Sequence, residues 1–184
     1  MVTAMDVANF FIDVFKNSDE PMTMLRTMRM TYNAQGCCLA RMNEPLFEEE
    51  VQAWKQGPVI LSVYRKLLPF KNNRIKKTIG DHSKNVFTEE QMQLMIDVAV
   101  KYGKYTTGTL TGWCNSPNGP WGKTYIENRR NIKISKELMY DHFSENEPLK
   151  GFDMEFVIKR MKPLGRSDPE GNTILPEDLD DNGI

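Results

Sequence analysis

The chain is poor in the residues that usually announce chemistry. It has two histidines and three cysteines in 184 residues, and no apolar run nears the roughly 18 residues of a membrane span. Cys37 and Cys38 are adjacent and Cys114 stands alone, so there is no disulfide framework and no C-x-x-C metal spacing; reduced, structural thiols are expected. Met1 to Asp6 lack the basic start of a signal peptide, which sets the expectation of a cytoplasmic protein with no membrane partner. An excess of one charge is also missing. Twenty-four Lys plus Arg against 25 Asp plus Glu leave a net charge of -1, so any binding of nucleic acid must come from a local patch.

Catalytic patterns are scarce too. His82 and His142 each follow an aspartate but share no metal spacing, and no G-x-S-x-G motif supplies a nucleophile. A Cys–His or Ser–His site would have to assemble in space. Gly119 to Thr124 ends in Gly-Lys-Thr like a phosphate-binding loop, but Pro117 occupies the first glycine position and Pro120 removes an N–H. Asp178 to Gly183 matches half of a calcium loop, without the twelfth-position carboxylate. These absences predict no enzyme activity, no cofactor and no metal.

The length fits one domain able to bury roughly 70% of its unfolded surface. Apolar residues make up 40% and charged residues 27%, as in globular chains. Val7, Phe10, Phe11 and Val14 recur at helical spacing behind a Thr3/Asp6 capping box, predicting a helix over about 4–16. Thr23 can cap a second helix reaching about Arg41. Phe47 to Trp54 reads as a short helix with three glutamates in its first turn, and Pro58 as the first residue of the next. Thr88-x-x-Gln91 is a capping box for a helix ending at Gly103. Residues 106–122 predict a helical turn and an irregular loop, Ile132 to Ile134 a short strand, and Ser135 to Phe143 a capped helix. Residues 152–158 alternate as a half-buried strand would, and 167–184 hold six acidic and no basic residues, as a mobile or clasping tail would. The expected architecture is mainly α: a single compact domain of about five to seven helices with at most a small β element. Residues 1–150 form that domain and 151–184 a C-terminal extension.

Between Arg65 and Lys84 lie seven basic residues and one acidic one. Arg65, Lys66, Lys71, Arg74, Lys76 and Lys77 are candidates for binding a phosphate backbone, with thin aromatic interleaving. The same run also reads as a solvated loop, the commoner meaning of such a charge run, or as a surface covered by the acidic tail or by an acidic partner.

A resemblance adds to this reading. Met22 to Gly36, then Leu39-Ala40, Pro45-Leu46-Phe47, Ala53-Trp54-Lys55-Gln56-Gly57-Pro58-Val59 and Tyr64-Arg65, resemble in order and spacing the core of the Panacea domain family of SocA-like antitoxins. Leu110 to Trp113 with Pro120-Trp121 look like that family's second signature, so the resemblance spans about 4–143. Arg26 and Arg29 stand where lysines are usual, and Cys114-Asn115 where many members carry Thr-His. The resemblance implies an antitoxin, often associated with phages or mobile elements, that neutralises a toxin by direct contact; a host protein is another partner of the same kind. Tyr32 and Gln35 share a helix face and are candidates to line a groove with Trp54, Tyr64 and Trp121. Equally, Trp54, Tyr64 and Trp121 read as packing anchors, with Gly57 and Pro58 setting the angle between two helices. The alternative function is a nucleic-acid-binding regulator using residues 65–84.

Overall fold

The structure, a computed structural model, describes residues 1–80, 86–129, 131–146, 166–167 and 173–174. The chain divides into Met1–Leu149 and Lys150–Ile184. In the second unit the described residues are two short strands paired antiparallel, Arg166 opposite Ile174 and Ser167 opposite Thr173. The predicted strand over 152–158, most of the acidic tail, and His82 lie outside the described residues.

The first unit is mainly helical, with seven α-helices among the described residues and a small β-hairpin. Helix α1, Ala4–Phe15, begins at Thr3, whose side chain accepts from the Asp6 N–H while Asp6 accepts from the Thr3 N–H. Helix α2, Met24–Met42, starts at Thr23 and closes on Asn43, which takes the left-handed conformation and donates to the Leu39 carbonyl. α4, Glu89–Gly103, carries the Thr88/Gln91 capping box. It ends at Gly103 as expected, and the Phe15 ring packs where a Cβ there would stand. α5, Thr107–Cys114, stands at the expected helical turn, and α6, Pro120–Thr124, takes the end of the expected irregular loop and is formed from the near-match to a phosphate loop. The α7 helix, Lys136–Asn146, has Ser135 accepting from the Leu138 N–H at 3.1 Å.

The middle of the chain departs from the expectation of two helices. Val51–Trp54 is strand β1 and Gly57–Ile60 strand β2, joined through Lys55-Gln56; helix α3, Leu61–Leu67, begins three residues after Pro58. The glutamates that suggested a helix start have long-range partners instead. Glu48 pairs with Lys136 at 2.6 Å, Glu50 pairs with Lys133, and Glu49 accepts from the Ala4 N–H at 2.9 Å, at the positive end of α1. Gly57 has φ +115°, open to glycine and strained for other residues, and this closes the tight turn. Residues Ile132 to Ile134 lie along the far side of β1, bonding to Ala53 and Val51. Because N–H and C=O of one strand residue point the same way, Gln52 and Trp54 then face β2, and Pro58 and Ile60 face away from β1. The missing N–H of Pro58 therefore falls on the outer edge, where a sheet tolerates proline.

Helix α2 is the hub. It packs against α1, α3, α4, α5, α7 and β2, and every residue from Arg26 to Leu39 is buried. Such a helix is ordinarily apolar all round, yet this one carries Arg26, Thr27, Arg29, Thr31, Asn33 and Gln35. Buried polar groups require partners. Thr27 and Thr31 donate to the carbonyls four residues back, each at 2.8 Å. Gln35 accepts from the N–H groups of Leu46 and Phe47 and donates to the Phe47 carbonyl at 2.9 Å, fixing the chain's entry to the hairpin. Arg26 donates to the carbonyls of Gly103 and Tyr105 at 2.7 and 2.6 Å, placing a cation at the negative end of α4. Alongside, the buried carboxylate of Asp97 pairs with Arg41 at 2.6 Å, tying α4 to the end of α2.

Candidate functional site

Three elements converge on an open groove: the first turns of α2, the hairpin turn and the start of α3. Met24, Leu25, Met28, Trp54, Val59 and Tyr64 supply its apolar walls, with Arg29, Lys55 and Gln56 at its edge, around about 310 Å³. The Trp54 and Tyr64 rings lie 5.1 Å apart and tilted at 58°. Trp54 is held from both sides: its Nε1 donates to Gln52 Oε1 at 3.0 Å, and its carbonyl accepts from Trp121 Nε1 at 2.8 Å. Trp121 in turn stacks on Tyr125 at 5.0 Å. Trp54, Tyr64 and Trp121 are thus one linked, half-buried set.

Tyr32 and Gln35 belong elsewhere, which corrects the expectation that they line this groove. Both are buried, at 2% and 1% exposure, and the Gln35 amide is bonded on both its oxygen and nitrogen. The Tyr32 ring meets Phe143 edge-on at 5.7 Å and borders a second cavity of about 180 Å³, with Asn33, Tyr102, Trp113, Cys114 and His142 among its walls. Burial holds the Tyr32 phenol well above its usual range, reinforced by Cys114 and opposed by Arg29. His142 packs edge-on to Phe143 at 5.4 Å. The three cysteines are buried, and none is in a disulfide among the described residues. Among the described residues no group of three or more His, Cys, Asp or Glu is placed to hold a metal ion.

The groove's rigid support comes from a residue that sequence reading passed over. Arg29, 1% exposed, donates from Nη1 to the Pro58 carbonyl at 2.6 Å and from Nη2 to the Gln56 carbonyl. Asn115 Nδ2 also donates to the Gln56 carbonyl at 3.2 Å, so it too clasps the hairpin turn. Burial lowers the Arg29 pKa from its ordinary value, partly opposed by Cys114 and Tyr32. Among the described residues no carboxylate pairs with Arg29, so the guanidinium rests on backbone carbonyls. Gly57 is pinned between the two clasping side chains: a Cβ there would collide with both Asn115 and Arg29. Gly57 and Pro58 therefore shape a hairpin around Arg29 rather than a helix–helix angle.

The basic candidates occupy the outer surface. Arg65 and Lys66 lie on α3, Lys71, Arg74, Lys76 and Lys77 on the segment after it, all exposed. Arg74 donates to the carbonyls of Lys16 and Ser18 at 3.0 and 2.6 Å, and the Ile75 N–H donates to Met22 at 2.7 Å. These bonds hold the basic segment beside the start of α2, next to the groove.

Fold and site define a helical domain organised on one buried polar helix, with an aromatic groove beside a clasped hairpin. A family model described as antitoxin SocA-like, Panacea domain, matches residues 27–122, just over half of the 184-residue chain. The chain belongs to this family. That match is narrower than the resemblance over about 4–143, and it contains most of α2, the hairpin, α3 and Trp121. No curated protein and no solved structure matches the chain. No helix among the described residues is long and apolar enough to cross a membrane.

Proposed function

We propose that this protein is an antitoxin that neutralises a partner toxin by direct protein contact in the cytoplasm, catalyses no reaction itself, and travels with phages or mobile elements. The family match over 27–122 carries the reading, because the matched span includes Met28, Trp54, Val59 and Tyr64 of the groove's walls. Neutralisation by contact needs a stiff scaffold and an accessible surface that can differ among members. The buried, bonded face of α2 supplies stiffness, and the groove and basic surface supply the accessible surface. Co-expression with the toxin encoded beside it, read as growth, tests the proposal together with co-elution of the two proteins. Rescue with a stoichiometric complex supports it; toxicity unchanged by the protein removes it.

A second reading is favoured by the exposure of Arg65, Lys66, Lys71, Arg74, Lys76 and Lys77. A nucleic-acid-binding regulator would engage duplex through these cations, with affinity falling steeply as salt rises and counterions are released. Absence of duplex binding at low salt eliminates it.

A further inference from the structure

We infer that the groove between α2, the hairpin and α3 receives an acidic protein segment carrying a large apolar anchor residue. The inference rests on the antitoxin reading and names the chemistry of the toxin segment. From Val51 to Gly80 the chain has seven Lys and Arg and no Asp or Glu. This stretch supplies half of the groove's walls and its cationic edge. Lys55 lines the groove, and Arg65 and Lys66 follow Tyr64 on α3. None of Lys55, Arg65, Lys66, Lys71, Lys76 and Lys77 forms an ion pair among the described residues. Among the described residues, the neighbouring acidic side chains are committed or displaced. Glu48 and Glu50 are paired with Lys136 and Lys133 beyond the far side of β1, and Glu20 stands 3.8 Å from Arg26. Asp19 is exposed in the turn before α2 and does not line the groove.

Charge complementarity thus selects a negative partner, and the groove itself selects what that partner inserts. Its walls are thioether and aliphatic groups around a tilted Trp54–Tyr64 pair, a surface that repacks around a bulky side chain. Flat nucleobases would find few open stacking faces there. An apolar anchor seated centrally with charges at the rim is the usual division of labour in protein recognition, affinity from the pocket and orientation from the charges.

The test uses the full chain and a displayed library of random peptides of about sixteen residues, selected at low salt. Enriched peptides are expected to be net acidic and to hold a Trp, Phe, Leu or Met whose replacement by alanine weakens binding at least about tenfold. The exposed triple variant Lys55→Glu, Arg65→Glu, Lys66→Glu should keep its unfolding midpoint and lose the same peptides by about tenfold or more. Tyr64→Ala, also at an incompletely buried position, should lose them through the pocket alone. Neutral or basic enriched peptides, no enrichment, or affinity unchanged in the triple variant overturns the inference. So does duplex DNA that binds in place of peptides and ignores Tyr64→Ala. The selection needs no toxin. Acidic enrichment without growth rescue would leave this inference and remove the antitoxin reading, and rescue that survives the triple variant would do the reverse.

Discussion

Arg29 donates to the carbonyl of Pro58 at 2.6 Å, with both residues buried, and this contact joins the hub helix to the outer edge of the hairpin. Proline leaves its own position on that edge without an N–H and the Ile60 N–H donates to Met28 Sδ, so the carbonyls of Pro58 and of Gln56 in the turn are left for the guanidinium, and one planar fork reaches both. A lysine at this position would present a single ammonium without the fork.

Arg29→Lys is therefore expected to lower stability by about 1–2 kcal/mol, and Arg29→Met, which leaves the buried Pro58 carbonyl without a donor and the Gln56 carbonyl with Asn115 alone, by about 2–4 kcal/mol. Urea unfolding of the three proteins checks the order. A methionine variant as stable as the parent would show that the buried charge costs as much as its two bonds return, and would end the clasp argument.

Gly36 governs a different contact. A Cβ at this position would run into the Phe143 ring, so α7 lies against α2 at the one point of the helix that offers no side chain. Gly36→Ala gains helix propensity worth about 1 kcal/mol but forces the ring to move, so a net loss of about 1–3 kcal/mol is expected. Phe143→Leu in the alanine background should recover part of it, because the smaller side chain makes room. Thermal unfolding of both variants provides the measurement. Stabilisation by Gly36→Ala alone would mean that α7 can shift freely.

The ends of the helices were legible because they are local: Thr3 with Asp6, Thr23, and Thr88 with Gln91 all act within three residues. The hairpin was not. β1 and β2 are buried almost throughout, so polar alternation is missing, and Glu48 to Glu50 imitate a helix start while serving partners far along the chain. The groove was half legible. Trp54, Tyr64 and Trp121 stood out as amphipathic aromatics and do lie together, whereas Tyr32 and Gln35, read from their shared helix face, are turned into the core. Arg26 and Arg29 looked like departures from a lysine pattern. Their role depends on carbonyls of α4's end and of the hairpin, and no side-chain pattern records where carbonyls will fall.

Two buried acids that ionise late give the fold an alkaline limit. Burial pushes the Cys38 thiol from its ordinary 9.0 to about 12, aided by Glu44 and opposed by Arg41, and burial holds the Tyr32 phenol well above its ordinary 10.0. In the unfolded chain both groups ionise near their ordinary values. Above about pH 9 the unfolded state therefore binds fewer protons than the folded state, and stability falls as pH rises. For Cys38 the contribution is fully present below pH 9 and is lost between about 9 and 12, and for Tyr32 the loss begins near 10.0, at no more than about 1.4 kcal/mol per pH unit for each group. Urea unfolding from about pH 8 to about pH 10.5 should show a flat region and then a decline, starting with Cys38 and steepening as Tyr32 joins. Cys38→Ala should delay the onset and Tyr32→Phe should reduce the later slope. In the native protein the thiol should also resist alkylation near pH 8, reacting only once denaturant is added. Rapid alkylation of folded protein at that pH, or a decline that neither variant alters, would show that these two groups do not set the limit.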